Sequence, residues 1–183
     1  MLDLDFTPFP LLNTARLHLR AMAMEDAPAV LSMRSDPRVM EHVARPLATS
    51  LEDAVTHVGV VQRSLAANEG IAWTITLKDD PAMIGTIGFW RINKEHHRGE
   101  VGYMMLPEHW NKGLMTEALN VVVHHGFHAL KFHSIEAITD PRNTASRRLL
   151  EKNGFVLEAH FKENFLWKGE YLDSTVYAIL APR

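Results

Sequence analysis

The fold is decided by residues 99–118, which read GEVGYMMLPEHWNKGLMTEA. The pattern predicts a strand over residues 100–106, a polar turn over residues 110–112, and a helix that begins beside Gly113. Such a unit aims several free backbone N–H groups at one point, and the helix dipole adds to their attraction for an anion. Because the helix carries no acidic side chain before Glu117, we expect an anion site here that suits a phosphorylated ligand.

The segments on either side predict further strands and helices. Ser50 and Asp53 have the spacing of a capping box, and Pro37 and Gly154 are stop signals for helices. Strands are predicted over residues 16–20, 71–77, 83–92, 134–139, 155–159 and 171–180, and helices over residues 25–35, 50–65, 114–130 and 143–152.

The order of these elements predicts a mixed α/β fold. Short turns join the early strands, which are therefore expected to be antiparallel, whereas residues 100–139 form a strand–helix–strand unit with a parallel crossover. We expect a mixed, mostly antiparallel sheet with helices on both faces. Since no repeat or linker-like stretch interrupts the sequence, one domain is expected over residues 1–183, with its core at about residues 14–180.

Composition excludes several classes of protein. The formal net charge of −3 argues against a nucleic-acid binder, although Arg147, Arg148 and Lys152 could form a local basic patch. The absence of cysteine excludes disulfides, thiolate metal sites and cysteine nucleophiles. No apolar run is long enough to cross a bilayer, and the first residues lack the pattern of a signal peptide. We therefore expect a cytoplasmic protein without a membrane or nucleic-acid partner.

A second motif follows the predicted crossover. Residues 143–155 read NTASRRLLEKNGF, and residues 110–115 read WNKGLM. In this order, separated by one helix and one strand, the two segments resemble the GNAT acetyltransferase family, most closely its RimJ/RimL-like branch of ribosomal-protein N-terminal acetyltransferases. The family has Gln/Arg-x-x-Gly-x-Gly/Ala in the first segment and Asn-x-x-Ser, ending in Glu-Lys-x-Gly-Phe, in the second. Trp110 and Met115 depart from the first pattern, and the larger Met115 is expected to narrow the approach of a phosphate.

The resemblance implies acetyl-CoA as co-substrate and no metal. Backbone N–H groups of the turn would bind the pyrophosphate, and the strand before it, splayed from the next strand by a bulge, would pair with the pantetheine arm. One N–H of that strand would bind the thioester oxygen. The residues implied for acetyl-CoA are Met104, Met105, Leu106, Asn111, Lys112, Gly113, Leu114, Met115, Thr116, Asn143 and Ser146.

The implied reaction is direct attack of a primary amine on the thioester, with catalytic roles for three residues. Ser146 would protonate the departing thiolate, Asn143 would hold the pantetheine, and Glu100 would remove the ammonium proton through a water. The pKa of an α-amine is about 8 and that of a lysine side chain about 10.4, so a weaker base is enough to deprotonate a protein or peptide N-terminus. The first two helices and the last hairpin are expected to contact this acceptor, through Trp90, Trp167, Tyr171 and Asp173.

Plainer interpretations stay open. Asn143 and Ser146 have the spacing of a helix cap, and Glu100 could be a solvated edge charge. His124 and His128 have a metal-ligand spacing, but the glutamate of His-Glu-x-x-His is missing. The acceptor could instead be a small amine such as a polyamine, an amino acid or an antibiotic, and the chain could be a silent acetyl-CoA-binding module. Both a monomer and a homodimer are compatible with the sequence.

Overall fold

One sheet of eight strands runs through residues 1–182, the part of the chain that the computed structural model describes. The strands are β1 (Leu12–Asn13), β2 (Leu17–Ala21), β3 (Ile71–Leu77), β4 (Asp80–Asn93), β5 (Arg98–Met105), β6 (Ser134–Thr139), β7 (Val156–Trp167) and β8 (Glu170–Leu180). The helices are α1 (Ala27–Ser35), α2 (Pro37–Met40), α3 (Leu51–Ala66), α4 (Leu114–His128) and α5 (Thr144–Lys152), and 3₁₀ turns lie at Met24–Asp26 and Pro107–His109.

The sheet confirms the predicted mixture of pairings. Its strand order is β1-β2-β3-β4-β5-β6-β8-β7, and in the described residues each neighbouring pair is antiparallel except β5 with β6. That parallel pair is connected through α4, as the strand–helix–strand pattern predicted. The capping box before α3 is also confirmed, since Ser50 Oγ accepts from Asp53 N–H and Asp53 accepts from Ser50 N–H.

Helices cover both faces of the sheet, as the sequence predicted. On one face α4 contributes Leu119 and Val122 to the larger core cluster, together with Phe89 from β4. On the other face α1 and α3 form a second cluster that includes Val30 and Val58. The sheet therefore separates two packed layers.

Several predicted boundaries are wrong for identifiable reasons. The core begins before residue 14, because Leu2, Leu4 and Phe6 are buried. The predicted strand over residues 155–159 extends to Trp167, since β7 is an exposed edge strand whose apolar residues do not alternate. The helix predicted over residues 25–35 divides into a 3₁₀ turn and α1, with Pro28 in the first turn of the helix.

A buried ion pair joins β2 to the start of α1. Asp26 is 5% exposed, and its carboxylate accepts from Arg20 at 2.7 and 2.8 Å, from Ala23 N–H at 2.9 Å and from Thr74 Oγ1 at 3.1 Å. Burial alone would raise the pKa of Asp26, but these donors together hold that pKa below its ordinary value. The pair therefore fixes α1 against the sheet.

We expect Asp26→Asn to lower the free energy of unfolding by about 3 kcal/mol, because it leaves Arg20 without its counter-charge in a largely buried site. Urea denaturation at pH 7 measures the loss. The depressed pKa makes the contribution of Asp26 complete above about pH 4, and it disappears as the pH falls through the folded-state pKa. Asp79→Asn, in the exposed turn before β4, is the control and should change stability by less than about 0.5 kcal/mol. An equal loss in both variants would contradict this assignment.

Candidate active site

A cleft of about 1490 Å³ opens where β5 and β6 part. The two strands pair only from Arg98–Glu100 to Ser134–Glu136, after which β5 stays with β4 and β6 stays with β8. The expected splay of this strand from the next one is therefore present. The associated bulge lies on the other side of β5, where β4 carries Trp90 as an extra residue between Phe89 and Arg91.

The backbone of β5 presents every second residue to the cleft. Leu106 N–H donates to Ile84 O at 2.9 Å, so the alternation of an antiparallel pair turns Met104 toward β4 as well. Tyr103 and Met105 then face the gap. Leu106 N–H is thus already engaged within the sheet, and of residues 104–106 only Met105 has its N–H toward the cleft.

The turn after β5 is held by an indole. Trp110 Nε1 donates to Met105 O at 2.7 Å, which ties the turn to the end of the strand. The departure from the family pattern at Trp110 therefore has a structural role. Asn111 and Gly113 adopt positive φ values of 58° and 73°, and they carry the chain into α4.

The N-terminus of α4 lies at the cleft. Gly113 is its N-cap and has no side-chain capping hydrogen bond, so the first three N–H groups, from Leu114 to Thr116, have no partner within the helix. These residues line the cleft. Met115 is half-buried and packs against the larger core cluster, so part of its bulk is directed away from the anion site.

The acidic residue in the first turn of α4 is neutralised from a distant segment. The Glu117 carboxylate accepts from Thr14 Oγ1, from Arg16 N–H at 2.8 Å and from Arg16 Nε at 2.8 Å. Burial would raise the Glu117 pKa, yet these donors hold it below its usual value. Arg16 also donates to Lys112 O at 2.9 Å, so one arginine fixes the turn and removes a negative charge from its surroundings.

The predicted pair on α5 caps its helix and also contacts β5. Asn143 Oδ1 accepts from Ser146 N–H at 3.0 Å, which confirms the capping interpretation. Ser146 Oγ lies 2.7 Å from the phenol oxygen of Tyr103, across the gap between β5 and β6. Burial raises the pKa of Tyr103 to about 12, so this phenol is neutral near pH 7. Sequence reasoning missed Tyr103, because no local pattern links it to a serine in a later helix.

The expected basic patch is divided between two roles. Arg147 Nε donates to Tyr177 OH at 3.0 Å, and that hydroxyl donates to Glu151 Oε1 at 2.8 Å, which fastens α5 to β8. Arg148 and Lys152 line the cleft instead. Of the three residues of the expected patch, Arg148 and Lys152 are therefore placed to meet an anion in the cleft.

The predicted base is ion-paired. Glu100 lines the cleft with its side chain 17% exposed, and its Oε2 accepts from Arg91 at 2.9 Å. It is thus not a free surface charge. Arg91 engages only Oε2 in the described residues, so Oε1 of Glu100 can take a proton while the ion pair stays in place.

The four residues predicted to contact the acceptor lie in different environments. Trp167 and Asp173 line the cleft, whereas Trp90 and Tyr171 are absent from its lining in the described chain. Trp90 packs with the α1 and α3 cluster, and Tyr171 is 65% exposed. Asp173 accepts from Glu163 N–H at 2.8 Å and contacts His160 Nε2 at 2.7 Å, so it also stabilises an irregular turn of β7.

A segment that the sequence did not single out forms the opposite wall. Residues 41–46 follow α2 and line the cleft together with Arg38 and Val39. Within this segment His42 Nδ1 is buried and has no hydrogen-bond partner among the described residues. No periodic pattern marks the segment, which explains why sequence analysis missed it.

Two further expectations concern metals and membranes. The rings of His124 and His128 lie 4.2 Å apart between centroids. Residues 1–182 contain no group of three His, Cys, Asp or Glu side chains arranged to hold a metal ion. No helix in the described chain has the length and apolar character needed to cross a membrane.

Comparison with known proteins identifies the family. The model described as acetyltransferase (GNAT) domain matches residues 16–156. The uncharacterized N-acetyltransferase YoaA of Bacillus subtilis is 36% identical over 175 residues, which are 96% of this chain and 99% of that protein. The chain therefore belongs to the GNAT acetyltransferase family, and it is an acetyl-CoA-dependent N-acetyltransferase.

Solved structures support the same fold. A GNAT acetyltransferase from Bacillus anthracis superposes with a TM-score of 0.84 at 29% identity, covering 93% of this chain and 98% of that one. RimL, an alpha-N-protein acetyltransferase of a ribosomal protein, in complex with coenzyme A, gives 0.85 at 21% identity, covering 94% and 98%. The second likeness shows the fold alone.

In the sequence comparison, relatives with named acceptors match a smaller part of the chain. Spermidine N(1)-acetyltransferase of Escherichia coli is 29% identical over 50% of this chain and 50% of that protein. Ribosomal-protein-serine acetyltransferase of Escherichia coli is 27% identical over 60% of this chain and 61% of that protein. The family is thus established, and the acceptor is not decided by these similarities.

We expect Gly113→Ala to weaken acetyl-CoA binding about fivefold, because an L-residue at φ +73° is strained and shifts the N-terminus of α4. Gly169→Ala is a matched control. Gly169 has φ +86° in the β7–β8 turn with no heavy atom near its added Cβ, so it suffers similar strain away from the cleft. Titration calorimetry with acetyl-CoA should separate the two variants, and equal affinities would contradict a role for this turn.

Proposed function

We propose that this chain transfers the acetyl group of acetyl-CoA to the α-amine of a polypeptide N-terminus. The observation that carries the proposal is the gap between β5 and β6, which leaves the backbone of Tyr103 and the N–H of Met105 without a strand partner beside the N-terminus of α4. A ligand with amides followed by phosphates matches this combination of strand edge and helix N-terminus. The proposal also includes a cytoplasmic location for the protein.

The residues present fit acetyl-CoA. The free N–H groups of Leu114 to Thr116, with the turn at Asn111 to Gly113, would hold the pyrophosphate, and Arg148 and Lys152 add positive charge at the same cleft. The strand edge at Tyr103 and Met105 would pair with the pantetheine amides. Asn143 uses only its carbonyl oxygen in the cap, so its amide nitrogen remains available as a donor to the same arm.

Three groups of this chain would carry the chemistry. The bound thioester supplies an activated acetyl group. Met105 N–H is turned toward the cleft, where a preorganised donor would stabilise charge that develops on the acyl oxygen, typically by roughly 3–4 kcal/mol. Glu100 would accept the proton of the attacking ammonium, directly or through a water, and Ser146 would donate a proton to the departing sulfur.

Electrostatics of the cleft support an acceptor with a single ammonium group. Most of the carboxylates that line the cleft in the described chain are already engaged. Glu100 pairs with Arg91, Asp140 with Arg142, and Asp173 with His160, which leaves the exposed Glu41. A polyamine carries several ammonium groups and needs several free carboxylates, whereas a peptide N-terminus needs one.

We expect N-terminal peptides to be acetylated with a kcat/KM at least tenfold above that for spermidine or an aminoglycoside. Purified protein, acetyl-CoA and each acceptor are incubated together, and release of the CoA thiol is followed with a chromogenic reagent. Mass spectrometry then locates the acetyl group on the α-amine. Faster turnover of spermidine would refute the acceptor assignment, and no turnover with any amine would favour the silent module.

We expect Ser146→Ala and Glu100→Gln each to lower kcat about 100-fold while acetyl-CoA still binds, because each removes a proton-transfer group. Ser32→Ala is the control for the serine, since among the described residues the Ser32 hydroxyl donates only to Pro28 O within α1. The pH dependence of kcat should lose its acidic limb in Glu100→Gln. If that limb persists unchanged, another group is the base.

A further inference from the structure

One hydrogen bond crosses the cleft between the two strands that part. Tyr103 extends from β5 and Ser146 from α5, and their oxygens lie 2.7 Å apart. In the described residues this is the only hydrogen bond of the Tyr103 hydroxyl. Both side chains line the cleft. The contact therefore places the Tyr103 hydroxyl within hydrogen-bond distance of Ser146, the serine that the proposed reaction uses.

Tyr177, a tyrosine with a purely structural role, differs from Tyr103 in its burial and its hydrogen-bond partners. Tyr177 is fully buried, lies outside the cleft lining, and its hydroxyl joins Arg147 to Glu151. Tyr103 packs its ring partly against the larger core cluster, which a phenylalanine would do equally well. What phenylalanine would lack is the hydroxyl that meets Ser146.

The protonation state of Tyr103 limits what its hydroxyl can do. Burial raises the pKa of Tyr103 to about 12, so the phenol keeps its O–H throughout the working range of pH. Tyr103 can therefore donate this O–H to Ser146 continuously.

We propose that Tyr103 is a positioning residue for Ser146, whose oxygen accepts the Tyr103 O–H so that the Ser146 O–H is left to point at the sulfur. This inference rests on the proposed function, in which Ser146 protonates the leaving group. When nitrogen attacks the acyl carbon, the carbon–sulfur bond breaks and its electron pair goes to sulfur. Glu100 takes one proton from the ammonium before attack, and sulfur takes the Ser146 proton as the carbon–sulfur bond breaks. The second proton, which nitrogen loses after attack, returns to Ser146 through water in the cleft.

The test compares Tyr103→Phe, Ser146→Ala and the double variant, with acetyl-CoA and the best acceptor peptide. We expect Tyr103→Phe to lower kcat about tenfold, the usual worth of one such hydrogen bond, with the KM for acetyl-CoA within twofold of the parent. The double variant should be no slower than Ser146→Ala. The ratio of parent to Tyr103→Phe activity should stay constant from about pH 6 to pH 9.5, because the Tyr103 phenol stays protonated over this range.

Tyr177→Phe is the matched control, because it removes a tyrosine hydroxyl that does not touch Ser146. It should lower the melting temperature, and any effect on kcat should multiply with that of Ser146→Ala rather than vanish. The inference is overturned if Tyr103→Phe lowers kcat by the same factor in the Ser146→Ala background as in the parent. It is also overturned if Tyr103→Phe changes only the KM for acetyl-CoA.

Failure of the proposed function has a different signature. A parent protein without turnover on any amine, or one whose kcat does not respond to Ser146→Ala, overturns the role of Ser146 itself. An active parent that is slowed by Ser146→Ala but unaffected by Tyr103→Phe overturns only the positioning role. The two failures are therefore distinguished within one set of variants.

Discussion

The parting of β5 from β6 is the constraint on which the site depends. After Glu100, β5 stays paired with β4 but no longer with β6, and after Glu136, β6 stays paired with β8 but no longer with β5. Backbone N–H and C=O groups that lose a strand partner must find another, in water or in a ligand. Because α4 follows β5 and α5 follows β6, the same parting brings two helix N-termini to the unpaired edge. The cleft is therefore a consequence of topology, which the loops then refine.

Charge around the cleft is arranged by pairs that join distant segments. Glu117 lies at the N-terminus of α4, yet Arg16 from the start of β2 neutralises it and also holds the turn at Lys112. On the acceptor side, Glu100 pairs with Arg91 across β4 and β5. Negative charge is thereby reduced at the N-terminus of α4, where we propose that the phosphates bind, and limited near Glu100, where we propose that the amine reacts. This division suits an anionic co-substrate and an acceptor with one positive charge.

Much of the architecture could be predicted because its signals are local. The capping box at Ser50 and the N-cap at Asn143 follow from spacing within a few residues of sequence, and the crossover from β5 to β6 follows from the strand–helix–strand order. The sequence predicts β7 to be too short, because buried and exposed side chains do not alternate along this exposed strand. Trp90 and Tyr171 were assigned to the acceptor by their residue type, but placement beside the cleft depends on packing that residue type does not encode.

The sequence by itself determined the family, the order of helices and strands, and the strand–turn–helix of residues 99–118, because each is recorded in motifs and periodic patterns along the chain. Only the tertiary structure decided that Leu106 N–H is engaged, that Trp110 holds the turn, that Glu100 is ion-paired and that Tyr103 meets Ser146. These contacts join different segments of the folded chain, and their geometry is set by strand register and by the packing of α5 on the sheet. Local periodicity carries no information about such distances, so the chemistry of the site became visible only when the strands were placed side by side.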